Sequence, residues 1–318
     1  MDPLGSDITA PDGTRLRRWE VSSGDESEAV LFVHGATYPS RAVFAPPMDS
    51  ESYSWLHATA CRGRAAFAVD LRGYGESERP SPTDDESNAL ARATAVVGDV
   101  ATVLESIRGR FDRVHLVGYS WGSIVCGSYL TTVDDDVASL TQVAPVYRPP
   151  AAVGERFVER EPLDTYRRIT REDVRDRWNE QIPAESTPAD WRGGGGGSDP
   201  LLDAVWEGLA SSTARLDGVD VPTVEVPNGT LRDLRASAEG TPVYRAEEIT
   251  PPTLVVRGSL DPTATRPDAL ALYDELREGH ANREYVEISG GTHFIPLERR
   301  RTALYDAVHS FQNRTVRQ

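Results

Sequence analysis

Val114-His115-Leu116-Val117-Gly118-Tyr119-Ser120-Trp121-Gly122 sets a compact apolar run directly against a glycine-flanked serine, and helix-compatible sequence follows to about Thr131. A short apolar run of this kind reads as a strand buried on both faces of a sheet. The serine then sits on a tight strand-to-helix turn that projects its hydroxyl, and the glycines let backbone approach closely on either side. The amino end of the helix adds unpaired N–H groups and a positive dipole suited to a developing oxyanion. Ser120 is therefore the expected nucleophile, against the plainer reading of a structural turn.

Working outward, strand-like and helix-like patterns alternate, which predicts a mostly parallel central sheet flanked by helices. Thr14–Val21 follows the turn Pro11-Asp12-Gly13 and reads as a strand paired antiparallel with a short one before it. Ala29–Val33, Ala65–Leu71 and Ser139–Ala144 are further strands, and Ser52–Ala60 is a candidate helix. Across Ala91–Ile107, Val96, Val97, Val100, Val103, Leu104 and Ile107 recur at helical spacing, one stripe facing the sheet. After Thr250-Pro251-Pro252 the alternation resumes with strand Thr253–Arg257, helix Ala269–Leu276, strand Glu284–Ile288 and helix Leu297–Phe311.

Between these halves the pattern changes. Residues 148–247 are rich in Arg, Glu, Pro and Gly, with few strand-like runs. Leu163, Tyr166, Ile169, Val174 and Trp178 suggest one or two helices, and Ser198-Asp199-Pro200 opens another whose apolar face is Leu201, Leu202, Val205, Trp206 and Leu209. The five glycines Gly193–Gly197 read as a mobile loop, similar in composition to an engineered linker. The expected division is a core from 1–147 and 248–318, interrupted by a mainly helical cap over 148–247. Trp178, Trp191 and Trp206 are candidate pocket walls, although aromatics at such spacing are more often core.

Four motifs in register carry a resemblance. His34-Gly35, Asp70-Leu71-Arg72-Gly73-Tyr74-Gly75-Glu76-Ser77, Gly118–Gly122 and the chain order Ser, Asp, His resemble the α/β-hydrolase superfamily across both core segments. A serine hydroxyl needs a base, and His293 in Gly290-Gly291-Thr292-His293-Phe294 follows the last predicted strand, where open α/β sheets bind ligands. His57, His115, His280 and His309 read as ordinary surface or core histidines. The base needs a carboxylate partner. The resemblance implies Asp261, in the turn Gly258-Ser259-Leu260-Asp261-Pro262, although Asp-Pro is also a good turn former. Some relatives place the acid one strand earlier; here that position reads Ala144-Pro145-Val146-Tyr147, without a carboxylate. The resemblance also implies backbone oxyanion donors at Ala36 and Trp121, with the Thr37 hydroxyl as an assistant or a loop hydrogen-bonder. His34 is expected to shape that loop, Asp70, Arg72 and Ser77 to hold theirs, and Cys126 to be core.

Composition narrows the partners. Fifty acidic residues stand against 34 basic ones, for a formal charge of −16, and every one of the latter is arginine. Such a charge repels phosphate backbones and anionic lipid, so neither nucleic acid nor membrane is an expected partner. The lysine-free acidity fits either an arginine-favouring genome or a surface adapted to high salt; full activity and an unchanged melting temperature without salt would weigh against the latter. Two cysteines, no basic-then-apolar leader at Met1–Gly13 and no window near the ~20 apolar residues of a membrane span make the expected location cytoplasmic. No metal-ligand cluster, phosphate loop or dinucleotide fingerprint is visible, so no metal or cofactor is expected.

The expected function is hydrolysis of a small acyl substrate, foremost a carboxylic ester, through an acyl-enzyme on Ser120. A serine at this position departs from epoxide hydrolases and haloalkane dehalogenases, which use an aspartate there. An aminopeptidase or amidase similar to proline iminopeptidases is the first alternative, on Ser120-Trp121-Gly122-Ser123. However, His34-Gly35-Ala36-Thr37-Tyr38 lacks their Gly-Pro-rich stretch, and no carboxylate pair for an amino terminus is identifiable in the insertion. A carbon–carbon hydrolase and an acyltransferase share the same triad. A non-catalytic receptor of this fold is the reading from another class, and a degraded triad would mark it.

Overall fold

The computed structural model describes residues 2–48, 50–80, 91–134, 136–158, 164–210, 221–277 and 283–316. β1 (Leu4–Thr9) and β2 (Arg15–Val21) form an antiparallel hairpin closed by the Gly13 N–H to the Ala10 carbonyl. Next come β3 (Glu28–Val33), α1 (Ser40–Val43), α2 (Trp55–Ala60) and β4 (Ala65–Asp70). α3 (Ala93–Arg108), β5 (Arg113–Tyr119), α4 (Trp121–Thr132) and β6 (Ser139–Val143) complete the first half. The sheet order is β1-β2-β4-β3-β5-β6, antiparallel for the β1-β2 and β2-β4 pairs and parallel from the β4-β3 pair onward.

The central strands are apolar because both faces are covered by helices. Val30, Leu31, Phe32 and Val33 are buried, as are Leu116 and Val117. α3 turns Val96, Val100, Val103, Leu104 and Ile107 into the core, and only Val97 of the expected stripe is half-buried. α4 is buried from Trp121 to Leu130, so it lacks an amphipathic pattern and reads as helix through its position after β5.

Between β6 and the next sheet strand the chain builds α5 (Ala151–Val158), β7 (Tyr166–Thr170), α6 (Arg171–Asn179), α7 (Pro188–Arg192), α8 (Pro200–Ala210), β8 (Thr223–Pro227) and α9 (Gly229–Ala238). The helices agree with the expected helical character; the ribbon does not. Tyr166–Thr170, expected within a helix, pairs antiparallel with β8. Thr170 ends that helix register by capping α6: its hydroxyl and the Asp173 carboxylate form a reciprocal capping box. Leu163, the first residue of the expected pattern, lies outside the described residues. The glycine run is also not an open chain. Gly195 and Ser198 exchange two hydrogen bonds of 3.1 Å, all five glycines have positive φ, and the flanking Arg192 and Asp199 meet at 2.8 Å. Side chains rarely adopt that backbone region, which is why glycine fills it.

β9 (Thr253–Gly258), α10 (Arg266–Glu275), β10 (Arg283–Ile288) and α11 (Arg301–Val316) finish the sheet as β6-β9-β10, all parallel. The last helix begins later than the expected Leu297. Register aligns the carboxyl ends: Val33 faces Gly118, Tyr119 faces Val143, Val143 faces Val256 and Gly258 faces Ile288. The loops that follow β3, β5, β9 and β10 therefore open on one edge, where such sheets bind ligands. Among the described residues no helix is long and apolar enough to cross a membrane.

Candidate active site

Ser120 has φ 55° and ψ −121°, a conformation side chains rarely adopt. It is held there because its N–H donates to the Val143 carbonyl at 2.8 Å while α4 starts at the next residue. The elbow leaves no room for side chains: a Cβ on Gly118 would lie 2.5 Å from the Gly122 oxygen, and one on Gly122 2.3 Å from the Val33 oxygen. Trp121, the first residue of the helix, has an amide with no partner one turn back.

The three sequence-predicted side chains come together. His293 Nε2 lies 2.9 Å from Ser120 Oγ, and its Nδ1 lies 2.8 Å from Asp261 Oδ2. A carboxylate only accepts at neutral pH, so Nδ1 donates and Nε2 is left to accept from the serine hydroxyl. The other carboxylate oxygen, Asp261 Oδ1, accepts the amides of Thr263 (2.8 Å) and Ala264 (2.9 Å). Asp261 and His293 are buried and Ser120 is 9% exposed, so the chain ends at the cavity with its hydroxyl.

Gly35 and Ala36 approach this serine from the end of β3. A Cβ on Gly35 would sit 2.9 Å from both Ser120 Cβ and the Tyr119 oxygen, so glycine alone permits the approach. His34 is structural: its Nδ1 pairs with the Gly35 carbonyl at 2.8 Å and its Nε2 accepts the Leu71 amide at 3.1 Å. Burial lowers its pKa, against the opposing pull of Asp70, and keeps it neutral. Asp70 accepts Ser40 N and Trp19 Nε1, Ser77 donates to the Asp70 carbonyl, and Arg72 pairs with Asp99, so this loop is held as expected.

Residues 30–307 match the sequence profile of the alpha/beta hydrolase family. This chain belongs to that family. It is 30% identical over 147 residues to epoxide hydrolase 2 of Siraitia grosvenorii, covering 45% of this chain and 40% of that one. It is 29% identical over 155 residues to the proline iminopeptidase of Heyndrickxia coagulans, covering 48% of this chain and 51% of that one. The chain thus spans about half or less of the curated relatives it matches. Among solved structures, an esterase from Exiguobacterium antarcticum superposes with TM-score 0.66 at 16% identity, covering 98% of this chain and 100% of that one. An epoxide hydrolase from Vigna radiata superposes with TM-score 0.67 at 18% identity, covering 98% of each. At such identities the likeness is one of fold.

In this alpha/beta hydrolase the inserted residues touch each part of the site, which the sequence reading missed. Arg167 of β7 donates to Thr37 Oγ1 at 2.6 Å, and also to the Pro227 carbonyl (2.6 Å) and Asn228 Oδ1 (3.1 Å). Thr37 itself has φ 75°, a strained conformation for a β-branched residue. Gln181 Oε1 accepts the His293 amide at 3.0 Å. Asp233 of α9 accepts the Trp121 indole N–H at 2.9 Å and the Ala93 amide. Trp178 stacks on Phe294 (4.8 Å, 20°) and donates to Glu298, which also accepts Thr292 N and Oγ1 beside the histidine. Burial raises the pKa of both Asp233 and Glu298, against the pull of these donors. Polar residues in an irregular segment carry no spacing that announces such partners.

A cavity of about 570 Å³ opens over Ser120, lined by Ala36, Thr37, Tyr38, Tyr119 and His293 from the core and by insertion residues including Arg167, Ile169 and Arg177. Trp178, Trp191 and Trp206, the candidate walls, do not line it; Trp178 is buried, with its ring stacked on Phe294 and its indole N–H on Glu298. Among the described histidines, His115 pairs with Ser139, His57 with Cys61 and His309 with Arg64 and Asn313, while His280 lies outside the described residues. Both cysteines are free thiols, and burial pushes that of Cys126 well up. Among the described residues no group of three His, Cys, Asp or Glu can hold a metal ion.

Proposed function

We propose that this chain is a serine hydrolase that cleaves an acyl bond, foremost a small carboxylic ester, through an acyl-enzyme on Ser120. The observation that carries the reading is the continuous hydrogen-bonded chain from Ser120 Oγ through His293 to Asp261, at 2.9 and 2.8 Å. In the proposed sequence Ser120 Oγ attacks the substrate carbonyl carbon while His293 Nε2 takes its proton. Asp261 holds the imidazole tautomer and stabilises the imidazolium. The N–H groups of Ala36 and Trp121, with the α4 dipole behind the latter, receive the oxyanion. His293 then protonates the leaving group, and water, activated by the same histidine, releases the acid.

An aspartate elbow would lead to an alkyl ester instead; a serine favours acyl chemistry, which separates this reading from the epoxide hydrolase relatives. Residues 148–247 act in this proposal as a lid that sets substrate size and polarity. A second reading, an aminopeptidase, draws on the iminopeptidase relative and on Asp173 and Glu180, two insertion carboxylates on the cavity wall.

Intact mass after incubation with a fluorophosphonate tests the main reading. One stoichiometric adduct on the parent and none on Ser120→Ala is the expected result. An unlabelled parent would overturn it in favour of a ligand-binding role. Comparing an aryl ester with an aminoacyl arylamide then separates the two enzymatic readings.

A further inference from the structure

The charge of the cavity wall runs opposite to that of the protein. A chain of net charge −16 lines this one cavity, among the described residues, with three arginines, Arg167, Arg168 and Arg177, against two carboxylates. Their engagements differ. Arg168 faces Glu225 at 3.7 Å, and Arg167 is committed to Thr37, Pro227 and Asn228. Arg177, in the last turn of α6, has no ion pair among the described residues. Of the carboxylates, Asp173 Oδ2 is taken up by Thr170 N and Oγ1 in the capping box, while Glu180 sits exposed at the helix end.

Tyr38 adds a second, independent feature. It is 6% exposed, its ring packs edge-on against Phe294, and it lines the cavity. Its hydroxyl has no hydrogen-bond partner among the described residues, so it can donate to a ligand in that cavity. Burial raises its pKa, so it remains a donor at neutral pH, and the opposing charges that reach it are first Arg177 and then Arg167, ahead of Asp173. Among the described residues the site thus holds one exposed guanidinium without an ion pair and one phenolic O–H without an acceptor, on the wall of the space that contains Ser120.

We propose that the acyl substrate carries a carboxylate of its own, received by the Arg177 guanidinium and the Tyr38 hydroxyl. This rests on the serine hydrolase reading for the word acyl; the carboxylate site stands on the wall alone. Guanidinium and hydroxyl both donate to a carboxylate, and charge-assisted bonds of this kind are among the stronger ones available. Half-esters or half-amides of short dicarboxylic acids fit the description; their neutral counterparts offer Tyr38 only a carbonyl and give Arg177 no charge-assisted partner.

Calorimetry on Ser120→Ala, which keeps the cavity and cannot turn over, reads the site directly. Glutarate is the probe, with glutaramide as the uncharged control and 1,5-diaminopentane as the cationic one. Glutarate is expected to bind and the diamide not to; Arg177→Gln weakens glutarate roughly ten- to a hundredfold, and Tyr38→Phe roughly three- to tenfold. Absent glutarate binding, indifference to Arg177→Gln, or preference for the diamine overturns the proposal. Fluorophosphonate labelling without glutarate binding would sink this inference and leave the hydrolase reading intact. Glutarate binding without labelling would do the reverse.

Discussion

The two walls of the cavity hold their polar groups differently. On the core wall the backbone does the holding: Ser120 is tied by its N–H to Val143, Asp261 by the amides of Thr263 and Ala264, and His34 by the Gly35 carbonyl and Leu71 amide. On the insertion side, side chains reach across to the core, Arg167 to Thr37 and Gln181 to His293 at the cavity and Asp233 to Trp121 behind it. Backbone anchors are common to any sequence that keeps the strands in register, whereas side-chain anchors belong to particular residues. In the proposed reading chemistry therefore belongs to the core, and positioning and selection to the insertion.

The largest test of that division is Asp261→Asn. An amide in this place favours the wrong imidazole tautomer, so ester turnover falls about ten-thousandfold, with fluorophosphonate labelling slowed alongside. A loss below tenfold would mean that the core wall does not carry the chemistry. Gly35→Ala comes next, because its methyl would lie 2.9 Å from Ser120 Cβ and from the Tyr119 oxygen. Displacing the loop that carries the proposed oxyanion donor Ala36 should lower kcat roughly a hundredfold and leave KM little changed.

Arg167→Met and Gln181→Met probe the insertion wall, and each should lower kcat by roughly tenfold while the fold's circular dichroism spectrum stays the same. Lysine at position 167 restores little, since one ammonium cannot reproduce a planar fork that serves Thr37, Pro227 and Asn228 together. Unchanged rates in both variants would make the insertion a passive cover.

The smallest effect lies at the junction of the two regions. Asp268 of α10 accepts the amides of Tyr147 and Arg148, where the insertion begins, and burial pushes its pKa up to about 7 despite those amides, with the Asp261 charge acting in the same direction. Its folded pKa exceeds the unfolded value of about 3.9, so the folded state binds more protons in between, and its contribution to stability is lost as pH rises through 7. Asp268→Asn removes that slope. Between pH 5 and 8 the parent should lose roughly 2–4 °C more in Tm than the variant, as thermal melts at each pH would record; parallel curves would refute it.

The same residue marks the limit of sequence reading. The resemblance implies Asp261 as the acid, and Ala144-Pro145-Val146-Tyr147, without a carboxylate, favours it over the place one strand earlier; folding nevertheless brings a carboxylate to that place, from Asp268. Its partners are amides and not His293. Core strands were legible because burial on both faces demands unbroken apolar runs such as Val30–Val33. β7 was not, because Tyr166–Thr170 is half-exposed and its apolar residues fit either period. β8, Thr223–Pro227, carries two prolines at its margins and drew no expectation.

By itself the sequence determined the parallel core and the order and types of the three residues, since a strand, a glycine-flanked turn and a helix are local commitments of backbone and burial. It equally determined that the surface is acidic and free of lysine. Only the tertiary structure decided that Arg167, Gln181 and Asp233 secure the site, that Tyr38 and Arg177 share a cavity with Ser120, and that the tryptophans do not line it. These are contacts between residues far apart in the chain, made by side chains whose spacing follows no period, so packing alone brings them together.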